Sequence, residues 1–272
     1  MSAFEAIVLG VVQGLTEFLP VSSTAHLRIV PAFAGWEDPG AAFTAVVQLG
    51  TMAAVLLYFR HDLWAIARAF LVGLRDPRQR RTLDFRMGVL IIIGTIPIGV
   101  FGLIFKDQIE SGARDLYVIG TALIVLGLVL LWAEKVGTRT RELDSLSTRD
   151  GVVIGFAQAA ALVQGVSRSG ATITAGLFLG FDRTAAARYS FLLSVPAVVL
   201  SGLFELRKIG EGEGTAAAVP TAIATLAAFI VGYASIAFLL RYLVRHTMLL
   251  FVVYRVVLGV VVIALTAGGA ID

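Results

Sequence analysis

The sequence predicts an all-α polytopic membrane protein with six transmembrane helices and two re-entrant helical hairpins, arranged as an inverted-topology repeat. Three observations predict it. First, 58% of the 272 residues are hydrophobic and the mean hydropathy is +0.88, far above a soluble domain of this length. Second, six apolar runs lie near 41–59, 86–105, 116–134, 189–206, 217–240 and 249–268. Each is long enough to cross a hydrocarbon core of roughly 30 Å at about 20 residues per crossing. Third, a polar pattern recurs at an offset of 145 residues, the mark of an internal repeat.

Taken in order, the region near 4–34 is apolar at both ends and polar in its middle, and Pro20 breaks it. It reads as two half-helices joined by a turn rather than one span. The run 41–59 follows, then a polar stretch whose apolar piece, Leu63 to Val72, is expected to lie along the interface. Two spans follow, then a second interrupted region near 152–180, with Gln164-Gly165 opening its polar centre. Three more spans complete the chain. Non-helical backbone at membrane depth needs protein or a water-filled cavity around it, so the two turns are expected to face one another inside the bundle.

With this count the loops alternate in charge. One side receives Arg60, Arg68, Arg75, Arg78, Arg80, Arg81, Arg86, Lys135, Arg139, Arg141, Arg149, Arg183, Arg188, Arg241 and Arg245; the other receives Lys106, Arg114, Arg207 and Lys208. The positive-inside rule assigns the first set to the cytoplasm. Both termini are then outside, the first hairpin enters from outside, and the second enters from the cytoplasm.

The repeat aligns Gln13 with Gln158, Val21-Ser22 with Val166-Ser167, and Ser23-Thr24 with Arg168-Ser169. One membrane domain, 1–272, is expected: a first repeat over about 1–134, a cytoplasmic linker over about 135–149 and a second repeat over about 150–272. Inverted repeats place sites where broken helices meet near the midplane.

The net charge is +3, but the basic residues sit in short loops and read as orientation signals, not as a nucleic-acid surface. There is no cysteine, which excludes disulfides, thiol nucleophiles and thiolate metal sites. The N-terminus lacks a basic start and a small-residue cleavage site, so the first apolar segment is expected to be retained.

Ionisable groups at membrane depth are costly and mark function by default. The second hairpin carries Ser167-Arg168-Ser169-Gly170-Ala171-Thr172 ahead of an apolar helix. Amides at a helix N-terminus, a turn able to form an anion nest and a guanidinium fork describe an oxyanion site; the alternative is a helix cap with a snorkelling arginine. In the first hairpin Glu17 is a metal ligand, a general base or a structurally paired carboxylate. Gln13 is one turn earlier on the same face, where it orients Glu17, coordinates a metal or makes an inter-helix hydrogen bond. Ser22, Ser23 and Thr24 suit helix capping as well as chemistry. A lone histidine such as His26 is often a hydrogen-bonded core residue, but it follows Ser23 by three positions, a spacing that suits a nucleophile with its base or a nucleophilic imidazole. Arg255, inside an apolar span, either snorkels to a surface or neutralises an anion or Glu17.

Gln13-x-x-x-Glu17 followed by Leu19-Pro20-Val21-Ser22-Ser23-x-x-His26 resembles the bacterial undecaprenyl-diphosphate phosphatase family, also known for bacitracin resistance. Gly165-Val166-Ser167-Arg168-Ser169-Gly170-Ala171-Thr172 is similar to that family's second motif. The segments from Ala41 to Gly50 and Tyr254-Arg255 also resemble family segments, so the likeness covers nearly the whole chain. Gln164 departs from it, standing where the family usually has proline.

The resemblance implies hydrolysis of undecaprenyl diphosphate to undecaprenyl phosphate and inorganic phosphate, recycling the cell-wall lipid carrier on the outer face of the bacterial cytoplasmic membrane. It implies a divalent cation, Mg²⁺ or Ca²⁺, a lipid-embedded protein, and bacitracin acting on the substrate rather than on the chain. It leaves the oligomeric state open, a homodimer included. The expected site has Ser23, His26, Glu17 and Arg168 as catalytic groups. Ser22, Ser167, Arg168, Ser169, Gly170, Ala171 and Thr172 hold phosphate, Glu17 and Gln13 hold the metal, and Arg255 is accessory. Ser23 is preferred as nucleophile with His26 as its base. The rival reading is a transporter or flippase for a polyprenyl phosphate lipid.

Overall fold

The computed structural model describes residues 1–105, 115–210 and 218–271, excepting the side chains of Ala41 and of residues 201–210. Lys106 and Arg114 lie outside the described residues, as do the side chains of Arg207 and Lys208. The chain folds into eleven α-helices among the described residues. These are α1 (Ala3–Phe18), α2 (Ser23–Ala34), α3 (Gly40–Tyr58), α4 (Arg60–Gly73), α5 (Leu83–Ile104), α6 (Leu116–Val136), α7 (Thr148–Ala159), α8 (Arg168–Phe178), α9 (Arg183–Gly210), α10 (Ala218–Leu243) and α11 (Leu249–Ala267). Strand-like pairing among the described residues is confined to one bridge between Arg141 and Phe181.

Helices α5, α6, α10 and α11 are each long and apolar enough to cross a membrane, and α3 with α4 forms a further candidate bent by 75°. The 63–72 piece falls in α4, turned away from α3 at that bend. The predicted run 189–206 falls within α9, around Pro196. The protein is an all-α polytopic membrane protein.

The two interrupted regions are each a pair of short helices. α1 and α2 have 16 and 12 residues, α7 and α8 have 12 and 11, all below the crossing length. Their equivalence is visible in the backbone. Ser2 and Glu5 form a capping box on α1, and Ser147 and Asp150, 145 positions on, form one on α7. Ser22 begins α2 with φ 76° and ψ 100°, and Ser167 begins α8 with φ 70° and ψ 114°. A positive φ is rare for a residue with a Cβ, so its recurrence at matched serines is a shared local fold.

Packing follows the same exchange. α1 lies on α10, and α7 lies on α5. Glycines permit each close approach. A Cβ on Gly10 would meet the Ala224 carbonyl oxygen at 2.3 Å, and one on Gly155 would meet Gly94 at 2.7 Å. Beneath the two turns sits the largest apolar cluster, which includes Phe18, Val21, Phe59, Ile173 and Phe191. Phe18 meets Phe191 edge to face at 5.4 Å.

Candidate active site

The first turn starts where α1 ends at Phe18. Pro20 has no N–H to extend the helix, and Ser22 turns the chain into α2. The Ser22 hydroxyl accepts from the Ala25 amide at 3.4 Å, and the Ser22 carbonyl accepts from the His26 amide at 3.3 Å. Of the four amides that open α2, those of Ser23 and Thr24 have no hydrogen-bond partner among the described residues. Ser23 is half-buried and Thr24 exposed, so the turn is reached from this side.

The second turn repeats the scheme. Gly165 has φ 88°, and a Cβ there would sit 2.8 Å from the Ile119 carbonyl oxygen, so glycine alone fits. Ser167 accepts the Gly170 amide on its hydroxyl at 3.1 Å and the Ala171 amide on its carbonyl at 2.8 Å. This corrects the expected phosphate cradle. Gly170 and Ala171 already have partners for their amides, and the pair left open is that of Arg168 and Ser169. Thr172 is also engaged: its hydroxyl donates to the Arg168 carbonyl at 2.8 Å and lies 2.6 Å from the Ser190 hydroxyl.

Glu17 joins the two turns. It is buried, and its Oε2 accepts from Gln13 Nε2 at 3.0 Å and from Ser23 Oγ at 2.6 Å. Its Oε1 accepts from the Arg168 guanidinium. Ser169 Oγ donates to the Leu19 carbonyl at 3.1 Å, a second tie from α8 to the first turn. Ser22 Oγ lies 3.2 Å from Thr24 Oγ1, and Ser167 Oγ lies 3.2 Å from Ser169 Oγ. The structure thus gathers Gln13, Glu17, Ser23, Arg168 and Ser169 at one point.

Two expectations are revised. The first is the Ser23–His26 pair. His26 Nδ1 is 2.7 Å from the Ser22 carbonyl oxygen, and Nε2 is 2.6 Å from the Tyr254 hydroxyl. A carbonyl only accepts, so Nδ1 carries the hydrogen; in the neutral ring Nε2 then accepts from Tyr254. Both nitrogens are engaged away from Ser23, whose hydroxyl is on Glu17. The second concerns Arg255, which neither reaches a surface nor faces Glu17. It is fully buried and donates to backbone carbonyls: Pro20 at 3.2 Å, Gly165 at 3.0 Å, Val166 at 3.1 Å, Ala122 at 3.3 Å and Leu123 at 3.2 Å. A Cβ on Gly170 would lie 2.8 Å from its Nη1, so that glycine makes room for the guanidinium. Sequence reasoning left Tyr254 and Ser190 out of the site. Tyr254 lies 228 positions from His26, and no local spacing could have paired them.

A buried carboxylate holds a hydroxyl on one oxygen and a guanidinium on the other where the two broken helices meet, groups of the kind that phosphoryl transfer uses. The family model for bacitracin resistance protein BacA matches residues 6–261, and the chain belongs to that family. It is 53% identical to an undecaprenyl-diphosphatase of Nocardioides sp., over 98% of this chain and 97% of that one. It is 54% identical to an undecaprenyl-diphosphatase of Mycolicibacterium smegmatis, over 100% and 99% of the two chains. An undecaprenyl-diphosphatase 2 of Streptomyces coelicolor is 51% identical, over 100% and 97%.

Proposed function

We propose that this protein hydrolyses undecaprenyl diphosphate to undecaprenyl phosphate and inorganic phosphate, with Ser23 as nucleophile and Glu17 as its base. The observation that carries the assignment is the 2.6 Å hydrogen bond from Ser23 Oγ to Glu17 Oε2. A serine hydroxyl needs an adjacent base to attack, and this carboxylate is already in place.

Ser23 Oγ bonds to the terminal phosphorus, and its proton passes to Glu17. The bond from that phosphorus to the bridging oxygen breaks, and undecaprenyl phosphate leaves. Glu17 gives that proton to the departing undecaprenyl phosphate. Water then attacks the phosphoserine and gives a proton to Glu17, the bond from phosphorus to Ser23 Oγ breaks, and Glu17 returns the proton to Ser23 as phosphate departs. Arg168 and the open amides of Ser23, Thr24, Arg168 and Ser169 stabilise the phosphoryl oxygens as charge shifts. Transport would need an anion site but no hydroxyl on a base, so the hydrolase accounts for more of the geometry. Product of this kind re-enters the lipid-carrier cycle of cell-wall synthesis.

The donor set suits a divalent cation. Gln13 Oε1 is buried without a hydrogen-bond partner, beside the Glu17 carboxylate, and both are oxygen donors of the kind Mg²⁺ and Ca²⁺ prefer. Among the described residues no group of three or more His, Cys, Asp or Glu side chains gathers. An ion held by Gln13 and Glu17 would therefore complete its shell with phosphate oxygens and water. It would supply neutralisation of diphosphate charge.

On the charge pattern, the termini and the mouth of the site face the outside of the bacterial cytoplasmic membrane, and the arginine-rich loops face inward. The deciding experiment is phosphate release from undecaprenyl diphosphate by the purified chain, with phosphoserine trapped at Ser23. A Ser23→Ala protein with wild-type turnover overturns the assignment.

A further inference from the structure

Two consecutive residues of α11 hold both turns of the site. Arg255 directs its donors at the backbone of the first turn, through Pro20, and of the second, through Gly165 and Val166, with α6 behind them. Among these partners there is no carboxylate. A buried guanidinium is stable only when its donors are satisfied, and here the segments satisfying it are the two turns. Tyr254 donates to His26 Nε2 and stacks on that ring with 7° between the planes. His26 in turn donates to the carbonyl of Ser22. Ser22 has the positive φ that its surroundings must hold in place. The residue after it is Ser23.

We propose that Tyr254 and Arg255 are positioning residues, forming a clamp on α11 that sets the Ser23 turn against the Arg168 turn. Arg255 fixes the separation of the two turns through their backbones. Tyr254 fixes the orientation of the first turn through His26, which is thereby a link in the clamp and not the base for Ser23. The inference rests on the hydrolase reading above, because what the clamp sets is the geometry at which Ser23 meets a phosphoryl group held by Arg168.

The choice of residue types supports this. Lysine at 255 would offer three donors from a single point in place of a planar fork with five, too few for the five carbonyls that Arg255 serves. Phenylalanine at 254 would keep the stacked ring and lose only the donor to His26.

The test uses the full-length protein in lipid nanodiscs with undecaprenyl diphosphate, reading kcat and KM from phosphate release. Tyr254→Phe is expected to lower kcat about tenfold, the weight of one hydrogen bond, with KM nearly unchanged. Arg255→Ala is expected to lower kcat roughly 100-fold, as for a small misplacement of reacting groups, with partial recovery on adding free guanidinium. Histidine-selective ¹⁵N spectra add a reading that a merely stabilising role would not move. The chain has three histidines, and the His26 Nε2 resonance, assigned with His26→Gln, is expected to shift in Tyr254→Phe. Wild-type kcat in both variants, or losses confined to KM, overturn the clamp. Should Arg255→Ala fail to fold, Tyr254→Phe decides alone: wild-type kcat or an unmoved Nε2 resonance overturns it. A wild-type protein that releases no phosphate marks failure of the hydrolase reading instead. Release by the wild type with no defect in the variants marks failure of the clamp alone.

Discussion

Glu17 on α1 and Arg168 on α8, 151 positions apart, form the ion pair that joins the two turns. Both are largely shielded from solvent. Removing one partner of such a pair strands the other charge, at a cost of about 3–5 kcal/mol, whereas removing both leaves nothing stranded. Glu17→Gln and Arg168→Gln should each lower the melting temperature, and the double variant should melt above the lower of the two. Turnover should not recover. Glu17→Gln removes the proposed base and should cost about 10²- to 10⁴-fold in kcat, and the double variant should be no faster. Thermal melts and phosphate release on the four proteins provide the cycle.

Ser22 and Ser167 carry two opposed contributions. Each caps its helix, and each has a positive φ that glycine adopts freely. Alanine loses the cap, about 0.5–2 kcal/mol, and keeps the strain, while glycine costs only a few tenths of a kcal/mol as a cap. Ser22→Gly and Ser167→Gly should therefore melt above the matching alanine variants. The reverse order would mean that the hydroxyls, and not the backbone, set the conformation of the turns.

These serines also show how far the sequence could be read. The hydropathy runs and the two polar interruptions revealed the class of fold and the break positions, because a carboxylate or guanidinium among apolar residues is visible in one dimension. Glu17 and Arg168 stood out for the same reason, and Ser23 only as one of three consecutive hydroxyls after Pro20. The partner of Ser23 was not. Helical spacing places Ser23 and His26 on one face, but side chains on a helix lean toward its N-terminus. Ser23 stands at the first position of α2, so it leans off the helix end toward Glu17 on α1, while His26 leans back onto the Ser22 carbonyl. Arg255 was visible as a charge in an apolar span, yet its partners are backbone carbonyls, which carry no sequence signature.

Asp150 offers a handle away from the site, at the polar end of α7. Burial alone would raise its carboxyl, but the hydrogen bonds from Arg141 and Ser147 outweigh that and hold it below its usual value. Arg141 also donates to the Leu179 carbonyl at 2.9 Å, so the pair ties α7 to the end of α8. A depressed folded pKa gives stability that is present above the unfolded value of about 3.9 and is lost as pH falls through the folded one. Asp150→Asn should lower the melting temperature at neutral pH and flatten its decline between about pH 5 and 3. Melts across that range, compared with wild type, measure both effects.

Sidedness can be tested without background labelling, because the chain has no cysteine. Single cysteines at Arg78 and Arg245, in the loops proposed to face the cytoplasm, should resist a membrane-impermeant thiol reagent in intact cells and react after lysis. A cysteine at Phe4, which is exposed, or at Gly269 should react in intact cells. The opposite pattern would place the mouth of the site on the cytoplasmic side and reverse the proposed topology.

Gln13 tests the cation. Its Nε2 is on Glu17 while its Oε1 is buried with no hydrogen-bond partner, so the amide has an oxygen free to coordinate. A chelator should abolish phosphate release, and added Mg²⁺ or Ca²⁺ should restore it. Gln13→Glu adds a second carboxylate, which binds a hard cation more strongly than an amide does; half-maximal activity should then need less metal. Gln13→Met keeps a side chain of similar length but has neither the carbonyl oxygen nor the amide donor to Glu17. It should raise the metal requirement while leaving the melting temperature close to wild type, since a single buried hydrogen bond contributes only about 1 kcal/mol net. A metal requirement that is identical in all three proteins would remove Gln13 from the coordination shell and leave Glu17 as the sole protein ligand.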